Sequence, residues 1–520
     1  MAEKNKNENN KEKKSEGITI EDMATFCKKK GFVFRSSDIY GGLSGFFDYG
    51  PLGVELFNNI KQNWWKHFVQ SKENMVGLDS SMISHSKIWE ASGHLDSFKD
   101  VMVTCSKCKN QVRADHLIED ELDINVEGKE NKEINEIIQK NKLLCPKCKS
   151  NFEELKDFNL LFPVSVGAEE GKGNVAYLRG ETAQGMFTDF KLIADTSRQK
   201  LPFGIAQVGR CFRNEIAPRD FIFRCREFTI GEFEFFIHPD EKKCDILTKK
   251  HLNLKLMFLD GETQDKGKKD LKETTIGGIL KEKRLGEWHA YWLAEQIMWF
   301  YSLGLKKENI KIREHMKNEL SHYSSATFDM DYMFPFGSQE IAGNANRGQY
   351  DLNQQIKGSN ENLFIFDEES KQKVVPRVIE PTFGMDRAFL AVIVDAYNDD
   401  KKRGNIVLKL NPELAPIKVG VFPLVNKVGE KAREVFDKLK CCYPCIYDKG
   451  GSVGRRYARA DEIGIPYCIT IDFETLDDES VTLRDRDSTK QIRVKIDDLM
   501  NVIYSLLMGG KLEDQGKVIK

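Results

Sequence analysis

The chain has 520 residues, 40% hydrophobic and 31% charged, the balance of a folded globular protein rather than a disordered one. Its 79 basic and 81 acidic side chains leave a net charge of −2, so any surface for a polyanion must be local. No apolar run approaches the ~20 residues that span a bilayer, which excludes a helical membrane protein, and the length suggests roughly two to four domains.

Residues 1–17 are mostly Lys, Glu and Asn and read as a solvated, disordered tail lacking the apolar stretch of a secretory signal. Structure is expected from Ile18, with a helix carrying Ile20, Ala24 and Cys27 and a short strand at 32–34. The Gly-rich segment 41–53 reads as a shaped loop. Residues 54–69 place Leu56, Phe57, Ile60, Trp64 and Phe68 at helical spacing, and 75–83 reads as a strand. At 100–158 two cysteine pairs flank a stretch rich in Glu, Lys and Asn, the texture of an insertion. Residues 190–236 read as strand, loop and strand, with clear alternation from Glu232 to Phe236. A second insertion is expected over 240–322. It contains a Lys-rich surface excursion at 260–283 and an apolar-periodic helix at 287–303. Residues 328–347 look like strand and turn, and 374–393 run from a strand through Gly384 into a helix. Two prolines mark a linker at 410–416. Beyond it, strands alternate with helices, which predicts a small α/β domain over 416–520. The front body, 18–412, is expected to be α+β and mostly antiparallel.

Cys105-x2-Cys108 and Cys145-x2-Cys148 form two knuckles. Four thiolates so spaced can close a tetrahedron around one ion, and a closed thiolate site suits a structural zinc. Four ordinary thiols in a surface insertion are the plainer alternative. The other eight cysteines read as core or surface thiols. Without an export signal they point to a reducing, cytoplasmic location.

There is no Gly-x4-Gly-Lys-Ser/Thr phosphate loop and no strand–GxGxxG–helix unit. Phe212-Arg213-Asn214-Glu215, followed by Arg219, Arg224, Arg226, Glu227 and Phe228, is unusual. Arginines flanking a turn between two strands can fork onto phosphate oxygens, Glu215 can accept from an exocyclic amine, and Phe228 can stack on a base. A solvated basic hairpin would carry the same residues. Arg387 falls in the first turn of a helix, where the dipole disfavours a cation, so a negative ligand is expected there.

These residues carry a resemblance. Phe212-Arg213-Asn214-Glu215 resembles motif 2 of the class II aminoacyl-tRNA synthetases, and Gly384-Met385-Asp386-Arg387 resembles their motif 3. Asp48-Tyr49-Gly50-Pro51-Leu52-Gly53, Arg113-Ala114-Asp115-His116, Glu181-Thr182-Ala183-Gln184-Gly185 and Ala345-Asn346-Arg347 are similar to the dimeric glycyl-tRNA synthetases. The likeness covers nearly all of the chain from about residue 18. Gly180 stands where that family usually has Pro, Thr382 where Ser is usual, and the motif 1 region lacks its typical Pro.

The resemblance implies a class II antiparallel catalytic domain and a C-terminal anticodon-binding domain. The implied activity is joining glycine to tRNA(Gly) through glycyl-adenylate, with ATP and Mg2+, in a homodimer paired through the motif 1 helix with Trp64 and Phe68. The ATP site would comprise Arg213, Asn214, Glu215, Phe223, Arg224, Cys225, Arg226, Glu227, Phe228, Glu340, Ile341, Gly384, Met385, Asp386 and Arg387. Arg213, Glu215 and Arg387 would carry the chemistry. Glycine would meet Arg113, Glu181, Phe228, Glu232, Arg347, Glu380, Thr382 and Gly384. Arg455, Arg456 and Arg459, in a basic, Gly-bearing run, would meet RNA. A synthetase for another small amino acid, or a non-catalytic RNA-binding relative, are the competing functions.

Overall fold

The computed structural model describes residues 18–519 except 123, 125, 127, 128, 130, 168–174, 322, 323 and 369, so the tail expected over 1–17 lies outside the described residues. The first helix, α1 (Ile20–Lys30), starts where the Thr19 side chain accepts from the Asp22 amide and stops at left-handed Gly31. The segment expected as a loop at 41–53 is partly regular. Phe47–Tyr49 pairs with Val33–Arg35, and Pro51 opens helix α2 (Pro51–Trp65), a position that suits proline's missing N–H. Gly53 lets that helix settle on the backbone just before Val33–Arg35: a Cβ there would lie 1.8 Å from the Phe32 carbonyl oxygen.

The frame of the front body is one sheet, with these strands among the described residues: β1 (Met75–Gly77), β2 (Phe203–Phe212), β3 (Glu227–Ile237), β4 (Lys255–Leu259), β5 (Lys272–Thr275), β6 (Ile310–Glu314), β7 (Ala326–Phe334), β8 (Gly337–Gly348) and β9 (Arg377–Gly384). Their order is β5-β4-β6-β7-β8-β9-β3-β2-β1, antiparallel except for the β4–β6 and β2–β1 pairs. Helices α2, α3 (Glu287–Ser302) and α4 (Met385–Ala396) belong to the main core, where Trp64, Phe68, Trp292 and Trp299 pack on Phe233 and Phe383 of the sheet. The α3 helix is buried on nearly every side. The opposite face of β3 carries Glu232 and Glu234, both buried. Alternation here separates an aromatic face from an acidic one, and neither faces water.

Four expectations need correction. Residues 75–83 split into β1 and Ile83–His85, which joins a separate small sheet. Phe190–Thr196 is a helix, its inward residues Phe190 and Ala194 being four apart. The Lys-rich stretch 260–283 is not merely a surface excursion, since β5 pairs with β4 at the sheet edge and Ile276 and Ile279 are buried. Finally, Trp64 and Phe68 are buried in their own chain, so the apolar stripe of α2 is filled internally and leaves them nothing to offer a second copy.

Beyond the linker lie β10 (Val419–Pro423), α5 (Gly429–Leu439), β11 (Cys445–Tyr447), α6 (Val453–Glu462), β12 (Tyr467–Ile471), β13 (Ser480–Asp485), β14 (Gln491–Lys495), α7 (Leu499–Leu507) and β15 (Lys517–Ile519). The sheet order is β11-β10-β12-β13-β14-β15, parallel in the first three strands. The linker is clamped. Asn59 of α2 donates to the Leu414 and Ala415 carbonyls, and Lys418 donates to those of Pro412, Glu413 and Ala415. Burial brings the Lys418 amine down to about 8.

Candidate active site

The acidic face of β3 and β9 meets the end of β8 to form a buried polar cluster. Arg347, closing β8, donates to both oxygens of Asp351 at 2.7 and 2.8 Å and to Glu380 of β9. Arg347 and Asp351 are four residues apart, across the turn from β8 into the helix Tyr350–Ser359, so the pair is local in sequence. Glu232 accepts from the Thr182 amide at 3.1 Å, from its hydroxyl at 2.5 Å, and from Thr382 at 2.9 Å. Glu181 lies 3.3 Å from His94 Nε2 and 3.7 Å from Arg347, and accepts from Gln184. Burial works against the Glu181 charge, yet His94 and Arg347 hold its carboxyl well below the usual range. Burial and the neighbouring Glu181 instead raise Glu232. The cluster is buried and acidic, with more carboxylates than cations, which suits a small ammonium.

Arginines on the motif 2 and motif 3 segments sit beside it. Arg213 donates from Nε to the Gly180 carbonyl at 3.1 Å, next to Glu181, and its guanidinium lies over the rings of Phe98 and Phe228. Glu215 is buried, with Arg224 Nε at 3.0 Å. Arg226 donates to the Glu215 and Ser44 carbonyls, pinning the hairpin to the N-terminal loop. Arg387 stacks 4.4 Å above Phe223 and bonds the Glu340 carbonyl at 2.8 Å, with the Glu340 carboxylate at 3.2 Å. Gly384 allows this approach, because a Cβ would meet Arg387 at 3.0 Å. Two guanidiniums thus lie on aromatic faces, an arrangement chemically able to take a planar base and phosphate oxygens.

Several side chains expected here point elsewhere. Cys225, Ile341 and Met385 are buried in the core and can offer only backbone. Glu227 lies on the opposite face of β3, paired with Arg210. Asp386 accepts from the Tyr49 hydroxyl and the Thr229 amide, which anchors α4. Arg113 is held by Asp100 at 2.9 Å and Asp115 at 2.6 Å, facing Glu215 rather than the acidic pocket. Burial raises Asp100 to about 6 despite Arg113. The motifs gave no sign of His94, Phe98 or Asp351; only the four-residue spacing of Arg347 and Asp351 could have flagged the last.

The four knuckle sulfurs lie within 4.8 Å of one another, with Cys105–Cys148 at 3.4 Å and Cys108–Cys145 at 3.6 Å. Both knuckles share one backbone pattern: Lys109 and Lys149 are left-handed, and their amides donate to the Cys105 and Cys145 carbonyls. Four sulfurs converging from paired turns fit a tetrahedral thiolate metal. In the C-terminal domain Arg455 and Arg459 are exposed, whereas Arg456 is buried and donates to the Pro423 and Gly451 carbonyls. Arg456 therefore shapes the loop, which corrects its assignment as an RNA contact.

Residues 418–506 match the family described as Anticodon binding domain. A protein of Caldanaerobacter subterraneus subsp. tengcongensis named glycine–tRNA ligase is 44% identical over 488 residues, covering 92% of this chain and 96% of the relative. The chain belongs to the glycine–tRNA ligase family. Two further members confirm the extent of the likeness. The glycine–tRNA ligase of Ruminiclostridium cellulolyticum is 43% identical across 92% of this chain and 97% of its own. That of Clostridium beijerinckii is 42% identical across 94% and 98%. The family's class II architecture accounts for the long antiparallel sheet and for the separate C-terminal α/β domain. Among the described residues, no helix is long and apolar enough to cross a membrane.

Proposed function

We propose that this protein is a glycine–tRNA ligase that activates glycine with ATP and transfers it to the 3′ end of tRNA(Gly). The observation that carries the reading is 44% identity over nearly the whole chain to a protein of that name. In the first step a glycine carboxylate oxygen attacks the α-phosphorus of ATP, the bond to the β-phosphate oxygen breaks, and pyrophosphate leaves. In the second a terminal ribose hydroxyl of the tRNA attacks the glycyl carbonyl, and AMP leaves with the bonding pair.

Each residue has a role on this reading. Arg213 holds the α-phosphate and the attacking carboxylate, where negative charge gathers in flight. Glu215 accepts from the adenine amine, Phe228 stacks under the ring, and Arg387 covers the other face with Glu340 near the ATP magnesium. Glu181, Glu232 and Glu380 receive the glycine ammonium. Thr182 and Thr382, both bonded to Glu232, close the space a larger side chain would need. One methyl group then meets a filled wall rather than forfeiting only the ~1–3 kcal/mol of a missing methylene.

The finer assignments follow. Zinc would sit on Cys105, Cys108, Cys145 and Cys148 and brace the segment that carries Arg113; one zinc per chain by elemental analysis checks this. Arg455 and Arg459 would meet the anticodon region. The compartment would be the cytosol, in keeping with twelve free thiols. A homodimer would form on the N-terminal loop, where Ile39 and Tyr40 are 87% and 86% exposed, rather than on Trp64 and Phe68. Beside that loop a cavity of about 500 Å³ is lined by Phe46, Tyr49, Phe57 and Arg210. Light scattering at micromolar concentration should give twice the chain mass. Amino-acid-dependent ATP–pyrophosphate exchange tests the function itself, and glycine alone should support it.

A further inference from the structure

One buried acid is not used by this mechanism. Glu234 of β3 is 0% exposed, and among the described residues no donor reaches either carboxylate oxygen. It lies two residues beyond Glu232, on the same face of the strand. Its oxygens cluster within 4.8 Å of those of Glu232 and Glu380. On its other side along the strand is Phe236, which packs with Phe187, Phe190 and Phe203. The charged groups facing it are Glu232 on its own strand, Glu380 on β9, Arg347 on β8 and Asp351 on the helix that follows β8. Glu181 adds its charge to Glu232 and Glu380.

Those neighbours are already committed. Arg347 is spent on Asp351 and Glu380, and Glu232 takes three donors from Thr182 and Thr382. An ionised carboxylate with no donor, set between other carboxylates and an aromatic wall, costs several kcal/mol. A neutral carboxylic acid avoids that cost and gains a donor. Of the Glu234–Glu380 pair, Glu380 has the arginine and Glu234 has none, so the proton belongs on Glu234.

We propose that Glu234 is a protonated carboxylic acid at neutral pH. It donates a hydrogen bond to Glu380 and so fixes the carboxylate that receives the substrate ammonium. Glu234 is then a positioning residue that sets both the charge and the geometry of the pocket. The inference rests on the glycine-pocket reading given above. Burial pushes both the Glu234 and the Glu380 carboxyls well above the usual range, so the pair holds a proton, and the Arg347 bond, which Glu380 has and Glu234 lacks, decides which of them carries it.

Infrared spectroscopy of the full chain tests the proton without substrate. At pH 8 the wild type should show the carbonyl stretch of a protonated carboxylic acid, shifted in D2O and absent from Glu234→Gln. A wild-type spectrum without that band, or a band that survives in Glu234→Gln, overturns the proposal. Kinetics test the positioning. Glu234→Leu should raise the glycine KM by ~10-fold with the ATP KM unchanged, and Glu234→Gln, which keeps a donor, should bring the rise below ~3-fold. Equal losses in both variants, or a matching rise in the ATP KM, count against it. Should Glu232→Gln leave the glycine KM untouched, the pocket reading fails, and the infrared result separates that failure from this one.

Discussion

Arg347 and Arg213 sit close to the same polar centre and are held in opposite ways. Arg347 is buried and saturated by carboxylates, two bonds to Asp351 and one to Glu380. Arg213 is half-buried and, among the described residues, pairs with no carboxylate; a backbone carbonyl and two aromatic rings hold it. The first arrangement neutralises a charge to build a pocket. The second keeps a charge available, so that an incoming anion can claim it without breaking a prior ion pair. The same side chain is thus neutralised in one place and left without a carboxylate partner, among the described residues, in the other.

The sharpest way to break that contrast is to remove each guanidinium and measure stability and chemistry separately. Arg347→Met should destabilise the fold by ~3–5 kcal/mol in urea titration, because Asp351 and Glu380 are left buried and unpaired. Arg213→Lys and Arg213→Ala should fold normally and lose adenylate formation by ~10²–10³ in pyrophosphate exchange, with little change in ATP affinity. If the two sites exchanged outcomes, with stability lost at Arg213 and retained at Arg347, the comparison would be wrong.

The opposite face of the sheet offers a control through pH. His289 of α3 is buried, one ring nitrogen bonded to the Asn344 carbonyl, and burial brings its imidazole down to about 4. The unfolded chain binds that proton near pH ~6.5. Stability is therefore full above that pH and is lost as pH falls toward 4, by about 3 kcal/mol. His289→Gln should flatten this window in thermal melts across pH, while the acid response of the Glu181 pocket, which lies lower, remains. A smaller effect is expected in the C-terminal domain. Arg455→Ala with Arg459→Ala should raise the tRNA KM by ~10-fold and spare exchange. Arg456→Ala, which frees two carbonyls, should lower the melting temperature instead.

What the sequence revealed follows the same division. Arg213, Glu215 and Arg387 announce themselves because motif 2 and motif 3 are contiguous strings whose backbone turns fix the spacing. The cysteine knuckles are legible for the same reason. The pocket is legible only in part: Glu181, Glu232, Arg347, Glu380 and Thr382 follow from the resemblance, whereas His94 and Asp351 lie outside every motif, and only sheet pairing brings Glu232 opposite Thr382. Alternation at Glu232–Phe236 marks two faces without saying what covers the acidic one, since nothing in a period of two tells water from a buried acidic pocket. The stripe on α2 is equally ambiguous, because an apolar helix face says that something covers it without saying whether the cover is the chain itself. Here Phe233 and Phe383 of its own sheet do so. The strand β5 escaped notice because an edge strand can be polar on both sides.

The central claim is that the acidic pocket selects glycine while the neighbouring arginines activate it on ATP. The most direct measurement is pyrophosphate exchange with each amino acid in turn, for the wild type and for Glu232→Gln. The account predicts exchange with glycine alone, and a glycine KM raised in the variant with the ATP KM unchanged. Exchange driven by serine, alanine or proline, or a Glu232→Gln enzyme with an unaltered glycine KM, would contradict it.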